Sequence, residues 1–135
     1  MIYSSFEENR HNAVFDYLDT YLANSETGVN RERYFEICER MGDTPDPDKI
    51  PPDISDFPHY VISGVKIFND LTDTYIGGGM SAPIYSGKDL SALMTLLSIY
   101  QVREDEHLYV LDVIKFLDAR ARKKAVRDAK RRNKR

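Results

Sequence analysis

Apolar residues recur at helical spacing in five stretches of the chain, and these stretches predict five helices. They cover about residues 5–23, 31–41, 57–71, 90–100 and 104–118. The third helix is expected to begin at either residue 56 or residue 57. Segments of this kind bury their apolar stripes against one another. The pattern therefore predicts an all-α fold, an irregular bundle of about five helices.

Local signals mark the ends of these helices. Asn30 is a typical N-cap and Gly42 is a typical C-terminal glycine, so the two delimit the second helix. Pro58 is expected in the first turn of the third helix. Residues 86–89, Ser-Gly-Lys-Asp, have the form of a capping box and predict the start of the fourth helix. Gly64 predicts the close approach of a neighbouring helix.

The apolar faces of the five helices define an expected core, in which Cys38 is interpreted as a small buried residue. The expected positions are Phe6, Val14, Phe15, Tyr17, Leu18, Tyr21 and Leu22; Tyr34, Ile37, Cys38 and Met41; Val61, Ile62, Val65, Phe68 and Leu71; Leu90, Leu93, Met94, Leu97 and Tyr100; and Leu108, Val110, Leu111, Ile114 and Leu117.

Two stretches interrupt the helical pattern. Residues 43–58 hold five of the six prolines and five aspartates, which excludes a helix or a central strand. This stretch is interpreted as an ordered, extended connector that Ile50, Ile54 and Phe57 fix to the core; a disordered linker is the alternative. Residues 72–85 contain three consecutive glycines and predict a flexible loop or a short irregular β-hairpin.

Charge is unevenly distributed along the chain. The formal net charge of −3 conceals ten Lys and Arg against one Asp in residues 119–135, a net charge of about +9. The preceding 118 residues contain nine basic and 21 acidic residues, a net charge of about −12. We therefore expect a helical domain over 1–118 and a basic C-terminal helical extension over 119–135.

Composition excludes several classes of protein. A single cysteine excludes an intrachain disulfide and a cysteine-based zinc cluster. No run approaches the ~18 apolar residues of a membrane span, and the first residues lack a signal-peptide pattern. We expect a soluble protein of a reducing cytoplasm, with no membrane partner.

No motif predicts catalysis, a metal or a cofactor. Gly87-Lys88 resembles the end of a phosphate-binding loop, but Ala82 replaces its first glycine and Asp89 replaces its Ser or Thr. His11, His59 and His107 lie in separate segments without metal-ligand spacing. The prediction is a non-enzymatic protein.

Two segments remain as candidate contact sites. The basic extension is expected to bind nucleic acid or an acidic partner, or to act only as a solubilising helix end. Its candidate residues are Arg120, Arg122, Lys123, Lys124, Arg127, Lys130, Arg131 and Arg132. The glycine loop is the candidate contact with a partner protein, through Gly77, Gly78, Gly79, Met80 and Tyr85.

Several short stretches of residues 31–117 resemble uncharacterised small proteins of tailed bacteriophages. They are RYFEICERMG at 33–42, TPDP at 44–47, IPPD at 50–53, DFP at 56–58, IFNDL at 67–71 and YSGKDL at 85–90. The resemblance implies virion morphogenesis or takeover of the host cell, in the host cytoplasm or in the particle. Size, helicity and charge are similar to those of tail assembly chaperones. The leading hypothesis is a tail assembly chaperone or adaptor with a phage protein as partner; the alternatives are a nucleic-acid-associated packaging or replication accessory and an inhibitor of a host protein.

Overall fold

The computed structural model describes the backbone of residues 5–133 and the side chains of residues 11–133, so Lys134, Arg135 and the side chain of Phe6 lie outside the described part. The described chain contains five α-helices, α1 Ser5–Glu26, α2 Arg31–Met41, α3 His59–Asp70, α4 Leu93–Ile99 and α5 His107–Asn133. Two strands, β1 Asp73–Ile76 and β2 Ile84–Lys88, form an antiparallel hairpin. The all-α prediction is thus confirmed in its coarse form, with a small sheet where a loop or hairpin was expected.

The chain divides into two compact units, Met1–Pro58 and His59–Arg135. The first unit contains α1, α2 and two short 3₁₀ helices, Pro47–Lys49 and Ile54–Asp56. The second contains the hairpin, α3, α4, α5 and the 3₁₀ helix Glu104–Glu106. Helix α5 continues without interruption from the packed residues into the basic segment and ends at Asn133.

Both predicted ends of α2 are confirmed. The Asn30 side chain accepts a hydrogen bond from the backbone N–H of Arg33 at 2.8 Å, which satisfies one of the free donors of the first turn. Gly42 ends the helix with φ at 71°, in the left-handed region that glycine adopts without steric cost.

The proline-rich connector is held to α1 and α2 of the first unit. Arg31 donates from Nε to the carbonyl oxygen of Pro51 at 3.1 Å and forms an ion pair with Asp56. Phe57 is buried, with its ring 5.1 Å from that of Tyr17 and 5.7 Å from that of Tyr21. These contacts explain how a segment without long helices or strands keeps a defined path.

Helices α3, α4 and α5 enclose the core of the second unit. Its buried side chains are Ile67, Leu71, Leu97, Val110 and Ile114. The predicted close approach at Gly64 is confirmed, because a Cβ placed there would lie 2.7 Å from Cγ1 of Val113 on α5. Glycine therefore allows α3 and α5 to pack backbone against side chain.

Two predicted helix starts are wrong. Residues 86–88 belong to β2, and α4 begins only at Leu93, where Ala92 provides no side-chain cap. Asp89 instead accepts a hydrogen bond from the backbone N–H of Ser91 at 2.9 Å, in a turn that precedes α4. Pro58 lies outside α3, because residues 54–56 form a separate 3₁₀ turn and the helix begins at His59.

Part of the predicted core is exposed. Ile37, Met41, Leu90, Met94 and Leu108 are between 42% and 70% exposed. The capping-box error explains Leu90, which precedes α4, while α4 has only seven residues and buries Leu97. Conversely, Ile67 and Val113 are fully buried although the expected apolar faces omitted both.

Candidate functional site

The base of the hairpin is attached to α5 through one carboxylate. Oδ1 of Asp118 accepts hydrogen bonds from the hydroxyl of Tyr85 at 2.6 Å and from the backbone N–H of Lys88 at 3.2 Å. Its other oxygen, Oδ2, forms an ion pair with Arg122 at 3.0 Å, one helical turn further along. Asp118 therefore fixes β2 against the middle of α5.

A β-bulge shapes the same junction. Thr74 pairs with Gly87 and Tyr75 pairs with Tyr85, so Ser86 is the extra residue of β2. The hydroxyl of Thr74 lies 2.7 Å from the carbonyl oxygen of Gly87 and 2.8 Å from the hydroxyl of Ser86. Gly87 has φ at 127°, and a Cβ there would overlap the guanidinium of Arg122. The positive φ favours glycine at this position, and a side chain there would also displace the flexible end of Arg122 from its place beside Asp118.

Lys88 joins the hairpin to the end of α3. Its ammonium group donates to the carbonyl oxygen of Leu71 at 3.1 Å, pairs with Asp73 at 2.6 Å and lies 4.6 Å from the ring centre of Phe68. The side chain is only 9% exposed. The carbonyl oxygen, the carboxylate and the aromatic ring all stabilise the positive charge of the Lys88 ammonium group. Lys88 therefore helps to hold the base of the hairpin to the end of α3.

Burial and the neighbouring carboxylate alter the acidity of Tyr85. Desolvation, followed by the hydrogen bond to Asp118, raises the pKa of the Tyr85 phenol well above its ordinary value. The phenol therefore keeps its proton to a higher pH than an ordinary tyrosine and donates it in the hydrogen bond to Asp118. The same hydrogen bond that fixes the hairpin thus depends on a proton.

The tip of the hairpin contrasts with its base. Gly77, Gly78 and Gly79 all have positive φ, between 71° and 129°, a run of conformations that residues with side chains rarely adopt. Apolar side chains around this turn face solvent: Tyr75 is 59% exposed, Ile76 62% and Met80 fully. An anchored hairpin therefore presents apolar groups at its free end.

An open groove of about 510 Å³ lies between the hairpin and α5. Ala121, Ala125 and Asp128 contribute its helical side and continue the buried stripe of α5 at three- and four-residue spacing. Tyr75 and Tyr85 contribute to its other side. The small alanine side chains keep the groove open where larger apolar residues would fill it.

The C-terminal half of α5 presents basic side chains to solvent. The exposed residues are Arg122, Lys123, Lys124, Arg127, Lys130, Arg131 and Arg132, whereas Arg120 is half-buried. A second open groove, of about 620 Å³, runs along Lys123, Val126, Arg127 and Lys130. Seven of the eight basic residues predicted as contact residues are therefore exposed on the C-terminal half of α5.

No protein-family model matches the chain, and neither a curated protein nor a solved structure does.

The structure separates the residues of the nominated loop. Gly77, Gly78, Gly79 and Met80 lie together at the tip, while Tyr85 lies in β2 and contacts Asp118. His11 lies in α1, His59 begins α3 and His107 begins α5, where its ring nitrogen Nε2 lies 3.1 Å from the carbonyl oxygen of Val102. Among the side chains of residues 11–133, no group of three His, Cys, Asp or Glu is arranged to hold a metal ion.

Sequence reasoning overlooked the junction of Asp118, Lys88 and Gly87. A signal for it existed, because Ile84-Tyr85 and Tyr75-Ile76 flank the glycine run as strand-forming pairs. Because residues 86–89 were predicted to cap a helix, residues 86–88 were not recognised as the end of β2. Within residues 5–133, none of the helices is long and apolar enough to cross a membrane.

Proposed function

We propose that the protein is a non-enzymatic bacteriophage assembly factor, a chaperone or adaptor that contacts a phage structural protein through the tip of its hairpin. The observation that carries this proposal is the exposure of Tyr75, Ile76 and Met80 on a hairpin whose base is attached to α5. The phage context comes from the resemblance of residues 31–117.

An exposed apolar tip on an anchored support suits a contact with another protein. Burying side chains such as Ile76 and Met80 releases about 25 cal/mol per Å² of apolar surface. Methionine also adapts to irregular partner surfaces, because its side chain is unbranched and polarizable. The attachment of the base through Asp118 limits the entropy that the hairpin loses on binding.

The hairpin also offers main-chain groups to a partner. Within the described chain, β1 pairs only with β2, and β2 packs against α5. The other edge of β1 therefore remains available for an added strand, a recognised way of binding an extended peptide. A chaperone of a long structural protein needs such a contact with segments that are not yet assembled.

The test is co-purification of the full-length chain with the structural proteins of the phage that encodes it. The variant Ile76→Ser with Met80→Ser is expected to weaken the complex at least tenfold, measured by titration calorimetry. The matched control is Met94→Ser with Ile99→Ser, since these two side chains are 67% and 66% exposed on α4. The control is expected to bind as the unchanged protein does.

Two results would contradict the proposal. One is a complex that survives the hairpin substitutions but not the α4 substitutions. The other is a complex formed with a host enzyme and with none of the phage structural proteins, which would favour the inhibitor alternative.

A further inference from the structure

The basic half of α5 carries a second interaction surface, which is separate from the hairpin tip and does not depend on the proposed function. Seven exposed cations occur between Arg122 and Arg132. At 1.5 Å per residue, these eleven positions span only about 15 Å along the helix axis. Charge at this density attracts a polyanion of comparable charge density.

The cations form an arc around the helix. At 100° per residue, Lys123, Lys124, Arg127, Lys130 and Arg131 fall within about 120° of the circumference. Arg122 and Arg132 flank this arc by about 80° on opposite sides. Cations therefore cover a broad front as well as both flanks of the helix.

Acidic groups of this unit meet the arc at one edge. Asp128 lies about 40° from Lys124 around the helix, and both line the groove beside the hairpin together with Asp73. The acidic turn Glu104–Glu106 precedes α5, about 30 Å along the axis from the centre of the arc. The Debye length at physiological ionic strength is about 8 Å, so this acidic end does not cancel the field of the arc.

Most of the arc has no ionic partner within the fold. Among the described side chains, Lys123, Lys124, Arg127 and Lys130 form no ion pair, whereas Arg122 pairs with Asp118. The helix dipole favours only the cations of the last turn, Lys130, Arg131 and Arg132, while like charges three and four residues apart destabilise the helix. A role outside the fold accounts for the arrangement better than a role within it.

We infer that this face binds the phosphate backbone of double-stranded nucleic acid without sequence specificity. A duplex carries one charge per about 1.7 Å, or roughly nine phosphates over the 15 Å of the arc. An α-helix of 10–12 Å diameter fits a major groove of about 12 Å, and there phosphates lie on both of its flanks. The flanking arginines match that geometry, whereas a flat acidic protein surface would contact the front alone.

Base recognition is not part of this inference. The segment 119–132 contains no aromatic side chain to stack on bases and no Asn or Gln to read adenine. Phosphate contacts supply affinity and orientation but carry no sequence information. The expected binding is therefore electrostatic and strongly dependent on salt.

The experiment titrates the full-length protein against a fluorescein-labelled 20-base-pair duplex of mixed sequence and follows anisotropy between 50 and 200 mM KCl. About six phosphate contacts predict a slope near −5 for log K against log salt. The variant combines Lys123→Gln, Arg127→Gln and Lys130→Gln. It is expected to bind at least 20-fold more weakly at 100 mM salt, with the slope reduced in magnitude by about 3.

The matched control combines Lys49→Gln, Lys66→Gln and Lys115→Gln, three exposed lysines outside the arc. It changes the net charge by the same amount and is expected to weaken binding less than threefold. Circular dichroism checks that both proteins keep their helices.

Three results would overturn the inference. The first is no binding of the duplex at 50 mM salt. The second is an equal loss of affinity in the control, which would assign binding to net charge and not to the arc. The third is binding of polyglutamate of equal charge as tightly as the duplex, which would favour an acidic protein as the partner.

Discussion

The two halves of α5 share one continuous helix but differ in what covers them. In residues 107–118, Val110, Val113, Ile114 and Leu117 are buried and form much of the core of the second unit. In residues 119–133 the same stripe continues through Ala121, Ala125 and Asp128, while basic residues occupy most of the remaining surface. Helical periodicity therefore persists beyond the point where the core ends.

A single helix can thus be ordered by packing in one half and remain exposed in the other. Packing supplies most of the stability of helices in proteins, because propensity alone is weak over short lengths. The packed half supplies a stable helical template. Each residue of the basic half then adds to an existing helix and loses only its own conformational entropy. The boundary falls at Asp118, where the hairpin is attached.

The largest expected effect compares one apolar residue from each half. Ile114→Ala removes a fully buried side chain and leaves a cavity, so we expect the free energy of unfolding to fall by about 2–5 kcal/mol. Val126→Ala removes a side chain that is 49% exposed and should change it by less than about 0.5 kcal/mol. Urea denaturation followed by circular dichroism measures both; equal effects would contradict the division of α5.

The boundary residue provides the next test. Asp118→Ala leaves the hydroxyl of Tyr85 and the backbone N–H of Lys88 without their acceptor, and we expect a loss of about 2 kcal/mol in unfolding free energy. Asp43→Ala is the control, an exposed carboxylate of the first unit. A loss no larger than that of the control would show that the hairpin is held by its apolar contacts alone.

Alkaline pH tests the same junction through its proton. The pKa of Tyr85 is raised in the folded protein, so above about pH 10 the unfolded chain releases this proton while the folded chain retains it. The stabilisation is therefore complete below pH 10 and declines as the pH rises further. Tyr85→Phe is expected to show a shallower decline between pH 9 and 11 in urea denaturation, and parallel curves for the two proteins would contradict this.

The sequence predicted the ends of α2 and one close contact between helices better than it predicted the faces that the helices bury. Gly64 shows why: a glycine inside an apolar helical stripe has few explanations other than a close neighbour, and the structure places Val113 there. Asn30 and Gly42 were equally informative, because caps act within one turn and need no tertiary information. Local rules succeeded where the cause is local.

The errors arose where tertiary contacts decide the outcome. Residues 86–89 satisfy the local pattern of a helix cap, but pairing of β2 with β1 and the bonds of Asp118 hold residues 86–88 in a strand. The burial of Lys88 depends on Leu71, Asp73 and Phe68, whose positions no local pattern specifies. The strand-forming pairs beside the glycines therefore indicate the hairpin, and Tyr85, Gly87 and Lys88 each attract attention, but nothing local points to their contacts with Asp118.

The smallest expected effect separates the fold of the basic half from its use. Arg127 lies four residues from both Lys123 and Arg131, so it forms two like-charge pairs on the helix. Arg127→Glu converts both of them into pairs of opposite charge. Each conversion favours the helix by about 0.2–0.5 kcal/mol at low salt, opposed in part by placing an acid near the negative end of the helix dipole.

We therefore expect the helical signal at 222 nm to stay equal or rise slightly in this variant at 20 mM salt, while affinity for the duplex falls. Added salt should erase the difference in helicity, because it screens exposed pairs. A clear loss of helicity would show instead that Arg127 stabilises α5 through contacts with the rest of the protein. Retained helicity with weakened binding would establish that the cations serve a partner and that the packed half alone maintains the helix.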